Sequence, residues 1–122
     1  MSSDCSKLQT AILEGTGIPV MKIAGEVDVY TADQLKTALN QVIVFGAKDL
    51  VIDMGEVSYI DSHGFGTLLE VTRILKSRGG SLNLASCSAS IERLLRITKL
   101  DMTFGIFQNV GGAIESMTAE SV

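Results

Sequence analysis

Apolar positions along this chain switch repeatedly between two spacings. Leu8 to Leu13 and Ile18 to Ala24 are strand-length apolar segments. Glu14-Gly15-Thr16-Gly17 between them is a turn signal, so the two strands are expected to pair antiparallel. Pro19 suits the beginning of a strand because it has no N–H to donate. The spacing then changes: Ala32, Leu35, Ala38, Leu39, Val42 and Ile43 recur at the helical period, and Gly46 lies where helices commonly stop. Thr31 and Gln34 have the spacing of a capping box. Leu50 to Ile52 is short and wholly apolar, as expected of an interior parallel strand, and residues 57–63 read as a loop. Beyond it, Phe65, Leu68, Leu69, Thr72 and Leu75 mark one face of a second helix. Thr67, Glu70, Arg73 and Ser77 track its solvated face, and Gly79-Gly80 ends it. Ser81 to Ala85 reads as a fourth strand. Ser88 is the expected N-cap of a third helix whose core face is Ile91, Leu94, Leu95 and Thr98. A short strand from Phe104 to Phe107 and a weak helix around Ala113 to Met117 complete the order.

Strands alternating with helices predict an α/β fold: a mixed, mostly parallel sheet of about four or five strands covered by about four helices. At 122 residues, with no repeat or linker, residues 1–122 form one domain. A hydrophobic fraction of 46% supports a proper core, and a single proline argues against disorder. The net charge of −4 leaves no basic excess for phosphates, which excludes nucleic-acid binding as a main task. No apolar run approaches the ~18 residues of a membrane span, and residues 1–7 lack a signal-peptide pattern. A cytoplasmic location is therefore expected, with Cys5 and Cys87 as free thiols and no metal site.

The junction between the 57–63 segment and the second helix concentrates the candidate chemistry. Asp61 and Ser62 stand at the helix start, where a side-chain oxygen accepts a bond from an unpaired N–H. Ser62 is thus either a helix cap and nothing more, or an exposed hydroxyl where the helix dipole tolerates a phosphate. Gly64 and Gly66 fall in the first turn, where each costs the helix up to ~1 kcal/mol relative to Ala and leaves bare backbone for another molecule to approach. Enzyme readings fit poorly. A nucleophile elbow needs G-x-S-x-G, and Ile60 stands two before Ser62. His63, the one histidine, is adjacent to Ser62 and so points away from it. Gly64-x-Gly66 runs into Leu69, where a dinucleotide fingerprint wants a third glycine, and there is no P-loop. The acidic residues Asp28, Asp53, Glu56 and Asp61 read as strand-end and cap residues rather than as a metal site.

The run Tyr59-Ile60-Asp61-Ser62-His63-Gly64-Phe65-Gly66-Thr67-Leu68-Leu69 resembles the signature of the anti-sigma-factor antagonists, the bacterial STAS-domain proteins. Gly25-Glu26-Val27-Asp28, the Asp49 to Asp53 strand, Gly79-Gly80-Ser81-Leu82 and Ile91 to Leu95 fit the same family, so the resemblance spans about residues 6–118. His63 and Phe65 depart from the usual Ser, Thr or Ala and the usual Leu, on the expected contact surface. The resemblance implies the STAS fold and a switch protein rather than a catalyst. The unmodified form would bind an anti-sigma factor that is also a serine kinase of the GHKL type, releasing a sigma factor. Phosphorylation of Ser62 would end that binding, and a serine phosphatase would restore it. ATP and metal belong to those partners, so no cofactor is expected here. By the same resemblance Asp28 contacts the kinase, Asp61 holds the loop, Gly64 and Gly66 keep the helix entrance open, and Tyr30, His63 and Phe65 are further contacts. The alternatives are a STAS scaffold in a stressosome-like or transport-associated complex, and a small-molecule module with an apolar pocket near Phe65 or Phe104.

Overall fold

The computed structural model describes residues 8–13 and 17–120, without the side chains of 119 and 120. The segment 14–16 of the expected turn and the expected thiol of Cys5 lie outside the described residues. Five strands form one sheet: β1 (Gln9–Leu13), β2 (Val20–Val27), β3 (Leu50–Ile60), β4 (Leu82–Ala85) and β5 (Gly105–Phe107), in spatial order β1-β2-β3-β4-β5. β1 pairs antiparallel with β2, and the remaining three pairs are parallel. Four helices connect or follow them: α1 (Ala32–Val44), α2 (Ser62–Ser77), α3 (Ala89–Ile97) and α4 (Val110–Glu120), with a 3₁₀ turn at Leu100–Met102.

This strand order decides where the helices go. Each parallel crossover steps one strand in the same direction, and right-handed crossovers then place α1, α2 and α3 on one face. Alternation along the strands does the rest, because successive side chains point to opposite sides. Met21, Ile23, Leu50, Ile52, Leu82 and Leu84 pack with Leu35, Leu39, Leu68, Leu75, Ile91 and Leu95 of those helices. Val20, Val51 and Ala85 face the other way and meet Ala113 and Met117 of α4. The buried amide of Asn83 donates from Nδ2 to the Ala113 carbonyl at 3.0 Å, tying α4 to β4. The end of α1, with no basic residue in its last turn, is met by Arg78, whose Nη1 donates to Ile43 O within the helix at 2.9 Å and to Ala47 O just beyond it at 2.8 Å.

Several expectations are corrected. β3 runs to Ile60, so most of the expected 57–63 loop is strand. Two register irregularities explain the difference. Lys22–Ala24 in β2 faces Asp53–Glu56 in β3, and Gly25–Glu26 faces Val57–Tyr59. Each break inserts an extra residue in β3, so Met54, Val57 and Ile60 are buried at every third position and the period-two signal vanishes. At the second break Gly25 has φ +115°, a conformation suited to glycine. Thr31 makes no side-chain cap bond to α1. Its Oγ1 donates instead to Glu26 O at 2.7 Å and accepts from Asp28 N at 3.0 Å. In α3, Leu94 and Thr98 are exposed rather than core-facing, while Thr67 in α2 is buried and donates to His63 O. α4 begins at Val110, because Asn109 Oδ1 accepts from Gly112 N at 2.7 Å and supplies the start signal that Gly111-Gly112 obscures.

Candidate functional site

β2 and β3 end side by side, with Val27 paired to Ile60 and Asp61 N donating to Val27 O at 3.1 Å. Asp28 and Asp61 therefore follow at the ends of adjacent parallel strands, ~4.8 Å apart in the pairing direction. Each aspartate organises the segment it begins. Asp61 is the N-cap of α2, its Oδ1 accepting from His63 N at 2.9 Å and from Gly64 N at 3.4 Å. Asp28 Oδ1 accepts from Tyr30 N at 2.9 Å and Thr31 N at 3.2 Å, closing a tight turn before α1.

Ser62 is the first residue of α2, one beyond the cap. The capping bonds thus belong to Asp61, which leaves the serine hydroxyl with no hydrogen-bond partner among the described residues. Ser62 is exposed and stands at the positive end of a 16-residue helix. His63 is exposed as well, and its Nδ1 lies 3.5 Å from Asp61 Oδ1 rather than against the Ser62 hydroxyl. A Ser–His pair for nucleophilic attack is not formed among the described residues. Tyr30 is 79% exposed and Val29 beside it 52%. Sequence reasoning misses Val29. Its signal is faint: an apolar residue beside a turn-forming aspartate, in a segment with neither strand nor helix period.

The two glycines differ. A Cβ at Gly66 would meet nothing within 4 Å, consistent with an open helix entrance. A Cβ at Gly64 would lie 2.5 Å from Val27 Cγ1 and 2.7 Å from Ile60 Cγ1. Gly64 is therefore a packing residue that lets α2 approach the ends of β2 and β3, and the expectation that it holds the entrance open is corrected. Phe65 is 7% exposed and belongs to the main core, so its side chain lies beneath the surface where a contact was expected. Phe104 is buried in the same core. The two cavities of note open elsewhere, one beside Ile18 and Val42, the other beside Leu95 and Phe107. No group of three or more metal-ligating side chains occurs among the described residues, and no helix there is long and apolar enough to cross a membrane.

Cys87, two residues beyond β4, is a free thiol, and burial followed by the nearby Glu92 carboxylate pushes its pKa from 9.0 up to about 11. That shift lowers the thiolate fraction at pH 8 by roughly a hundredfold. Cys87 should accordingly be alkylated by iodoacetamide at pH 8 roughly tenfold or more slowly than an exposed cysteine, the higher intrinsic nucleophilicity of its thiolate offsetting part of the lost fraction. Peptide-resolved mass spectrometry of a time course checks this, and labelling as fast as an exposed cysteine would contradict the burial. The Asp61 cap is equally testable. Asp61→Ala should cost about 1 kcal/mol of stability in a urea melt, the usual loss for an N-cap aspartate.

Comparisons with known proteins agree on one family. The STAS domain model matches residues 9–113. An anti-sigma-B factor antagonist of Bacillus subtilis is 38% identical over 95 residues, covering 78% of this chain and 86% of that protein. The crystal structure of an anti-sigma factor antagonist from Mycobacterium paratuberculosis superposes with a TM-score of 0.85 at 25% identity, covering 97% of this chain and 99% of that one. The anti-sigma factor antagonist SpoIIAA shares the fold at 18% identity in its unphosphorylated form, with a TM-score of 0.76 and coverage of 93% and 97%. In its phosphorylated form, as a Bacillus cell fate determinant, it gives 0.68 at 20% identity, covering 90% of this chain and 98% of that one.

Proposed function

Since this chain belongs to the STAS-domain family, we propose that it is an anti-sigma-factor antagonist switched off by phosphorylation of Ser62. Unmodified, it binds an anti-sigma factor that is also a serine kinase of the GHKL type, and so frees a sigma factor in the cytoplasm. The kinase transfers phosphate to Ser62, and a serine phosphatase removes it. ATP and metal are supplied by those partners. The observation that carries this reading is the Ser62 hydroxyl, exposed at the head of α2 and without a hydrogen-bond partner among the described residues. A relative of the same fold has been solved with and without phosphate, which supports a modification the fold accommodates.

The roles follow from position. Asp61 caps α2 and fixes the backbone that presents Ser62. Asp28 holds the neighbouring turn, which offers Tyr30 and Val29 to the partner. His63 and Gly66 complete the exposed surface, while Gly64 and Phe65 set the depth of the helix beneath it. Intact-mass measurement before and after incubation with ATP and the cognate kinase tests the proposal. One added phosphate, located on Ser62 by fragmentation and absent from Ser62→Ala, is the expected result; an unchanged mass, or phosphate elsewhere, overturns it.

A further inference from the structure

We infer that the pole opposite Ser62 docks on an anionic lipid membrane through the ends of α2 and α3. The crossover helices α1, α2 and α3 run back against the parallel strands, so each ends at the pole where the strands begin. Charge is sorted between the two poles. The segments 44–49, 76–81 and 96–103, which follow these helices, hold Lys48, Lys76, Arg78, Arg96 and Lys99 against the carboxylates of Asp49 and Asp101. The segments 26–33, 60–66 and 86–92, at the other pole, hold Glu26, Asp28, Asp33, Asp61 and Glu92, with neither lysine nor arginine. A chain of net charge −4 thus gathers half of its 10 cations at one end. Helix dipoles account for part of this, since they favour cations in last turns, as with Lys76 and Arg96. They do not explain why the position after α3 is a lysine held at φ 64°, a left-handed conformation where glycine is the ordinary, unstrained residue.

Apolar side chains project from the same end. Met102 is 83% exposed, Ile97 68% and Leu94 40%. Leu94 and Ile97 lie one turn apart on α3. The 3₁₀ turn carrying Met102 follows directly, with Met102 N donating to Lys99 O at 3.3 Å. Exposed Arg93, Arg96 and Lys99 stand among them. Arg96 shares its charge with Glu92 at 3.8 Å. Lys48, Lys76, Arg93 and Lys99 have no ion-pair partner among the described residues. Apolar tips set among such cations match a bilayer interface: the tips enter the acyl boundary while ammonium and guanidinium groups stay at the phosphate headgroups. The three apolar residues line neither cavity of note, so the face projects and offers no hollow. That shape favours lipid over an acidic protein segment, whose anchoring side chains need pockets to fill. The acidic remainder does not prevent approach. β3 spans roughly 35 Å, several times the Debye length of ~10 Å at 0.1 M salt, so the carboxylate pole is screened from a surface met by the basic one. Docked this way, the chain turns Ser62 away from the lipid.

Co-sedimentation of the full chain with vesicles of phosphatidylcholine and phosphatidylglycerol in equal parts, and with phosphatidylcholine alone, tests this surface. Binding to the anionic vesicles only is expected, weakened more than tenfold as salt rises from about 50 mM to about 500 mM. Lys76→Glu combined with Lys99→Glu should weaken it more than tenfold, and so should Ile97→Ser combined with Met102→Ser. Each pair should keep the wild-type far-UV spectrum, because all four side chains are exposed. Should either pair fail to fold, Lys99→Gly serves: it should raise the urea midpoint while lowering vesicle binding, a combination that a merely structural lysine would not give. Tyr59→Ser, at the other pole, should bind like wild type. No retention on anionic vesicles, equal retention on neutral ones, binding that survives the charge reversal, or binding lost with Tyr59→Ser would each overturn the proposal. So would a preference for soluble polyglutamate over the vesicles, which would assign the face to an acidic protein.

Discussion

Ser62→Asp should bind the cognate kinase more than a hundredfold more weakly than wild type, and Ser62→Ala should bind as tightly. The hydroxyl is exposed and bonded to nothing among the described residues, so its removal costs the free protein little. A carboxylate there is different. Docking must strip water from a charge set directly beside Asp61, itself a half-buried carboxylate already committed to two backbone N–H groups. A loss of even ~3 kcal/mol corresponds to more than a hundredfold in affinity. Phosphate carries roughly −1.5 to −2 charges and should act more strongly still. The free protein loses little in either case, because the first turn of α2 presents N–H groups and the positive end of its dipole to the added anion. Calorimetric titration of the three proteins reads the effect, and equal affinities for Ala and Asp would remove Ser62 from the contact.

Gly64→Ala should destabilise the fold by about 2 kcal/mol, whereas Gly66→Ala should be neutral or stabilise it by up to ~1 kcal/mol. Both changes improve intrinsic helix propensity equally, so the difference isolates packing. At Gly64 the new methyl would press on Val27 and Ile60, which are buried and have no room to retreat. At Gly66 it would enter open space. Paired urea melts measure the gap directly. Similar midpoints for the two variants would show that α2 approaches the sheet less closely than described.

The order of strands and helices was legible because most elements keep a clean period and have recognisable ends. Ser88 is found capping α3, accepting from Ile91 N, and β1 and β2 pair antiparallel as the short turn implied. What stayed hidden has identifiable causes. The outer half of β3 looks like a loop in the sequence because two register breaks give it a spacing of three. Spacing alone could not tell which of Asp61 and Ser62 caps α2, since both residue types favour that position. The answer matters, because a capping serine would have its hydroxyl engaged. Thr31 and Gln34 imitate a capping box, yet Thr31 is drawn back to Glu26 by the tight Asp28 turn and Gln34 Oε1 accepts from Leu8 N. The helical period already sets Phe65 on the apolar face of α2, and that reading holds; the surface contact that the family resemblance implies for its side chain does not, because Phe65 packs into the main core.

On the proposed switch, charge added at an uncovered helix entrance forbids docking while the core beneath stays as it was. Amide NMR spectra of the protein before and after quantitative phosphorylation, each with and without the kinase, test this most directly. Phosphorylation should shift resonances near Asp28–Thr31 and Asp61–Gly66 only, and kinase-induced line broadening should vanish. Shifts spreading through α2 into β4, or broadening that survives the phosphate, would contradict it.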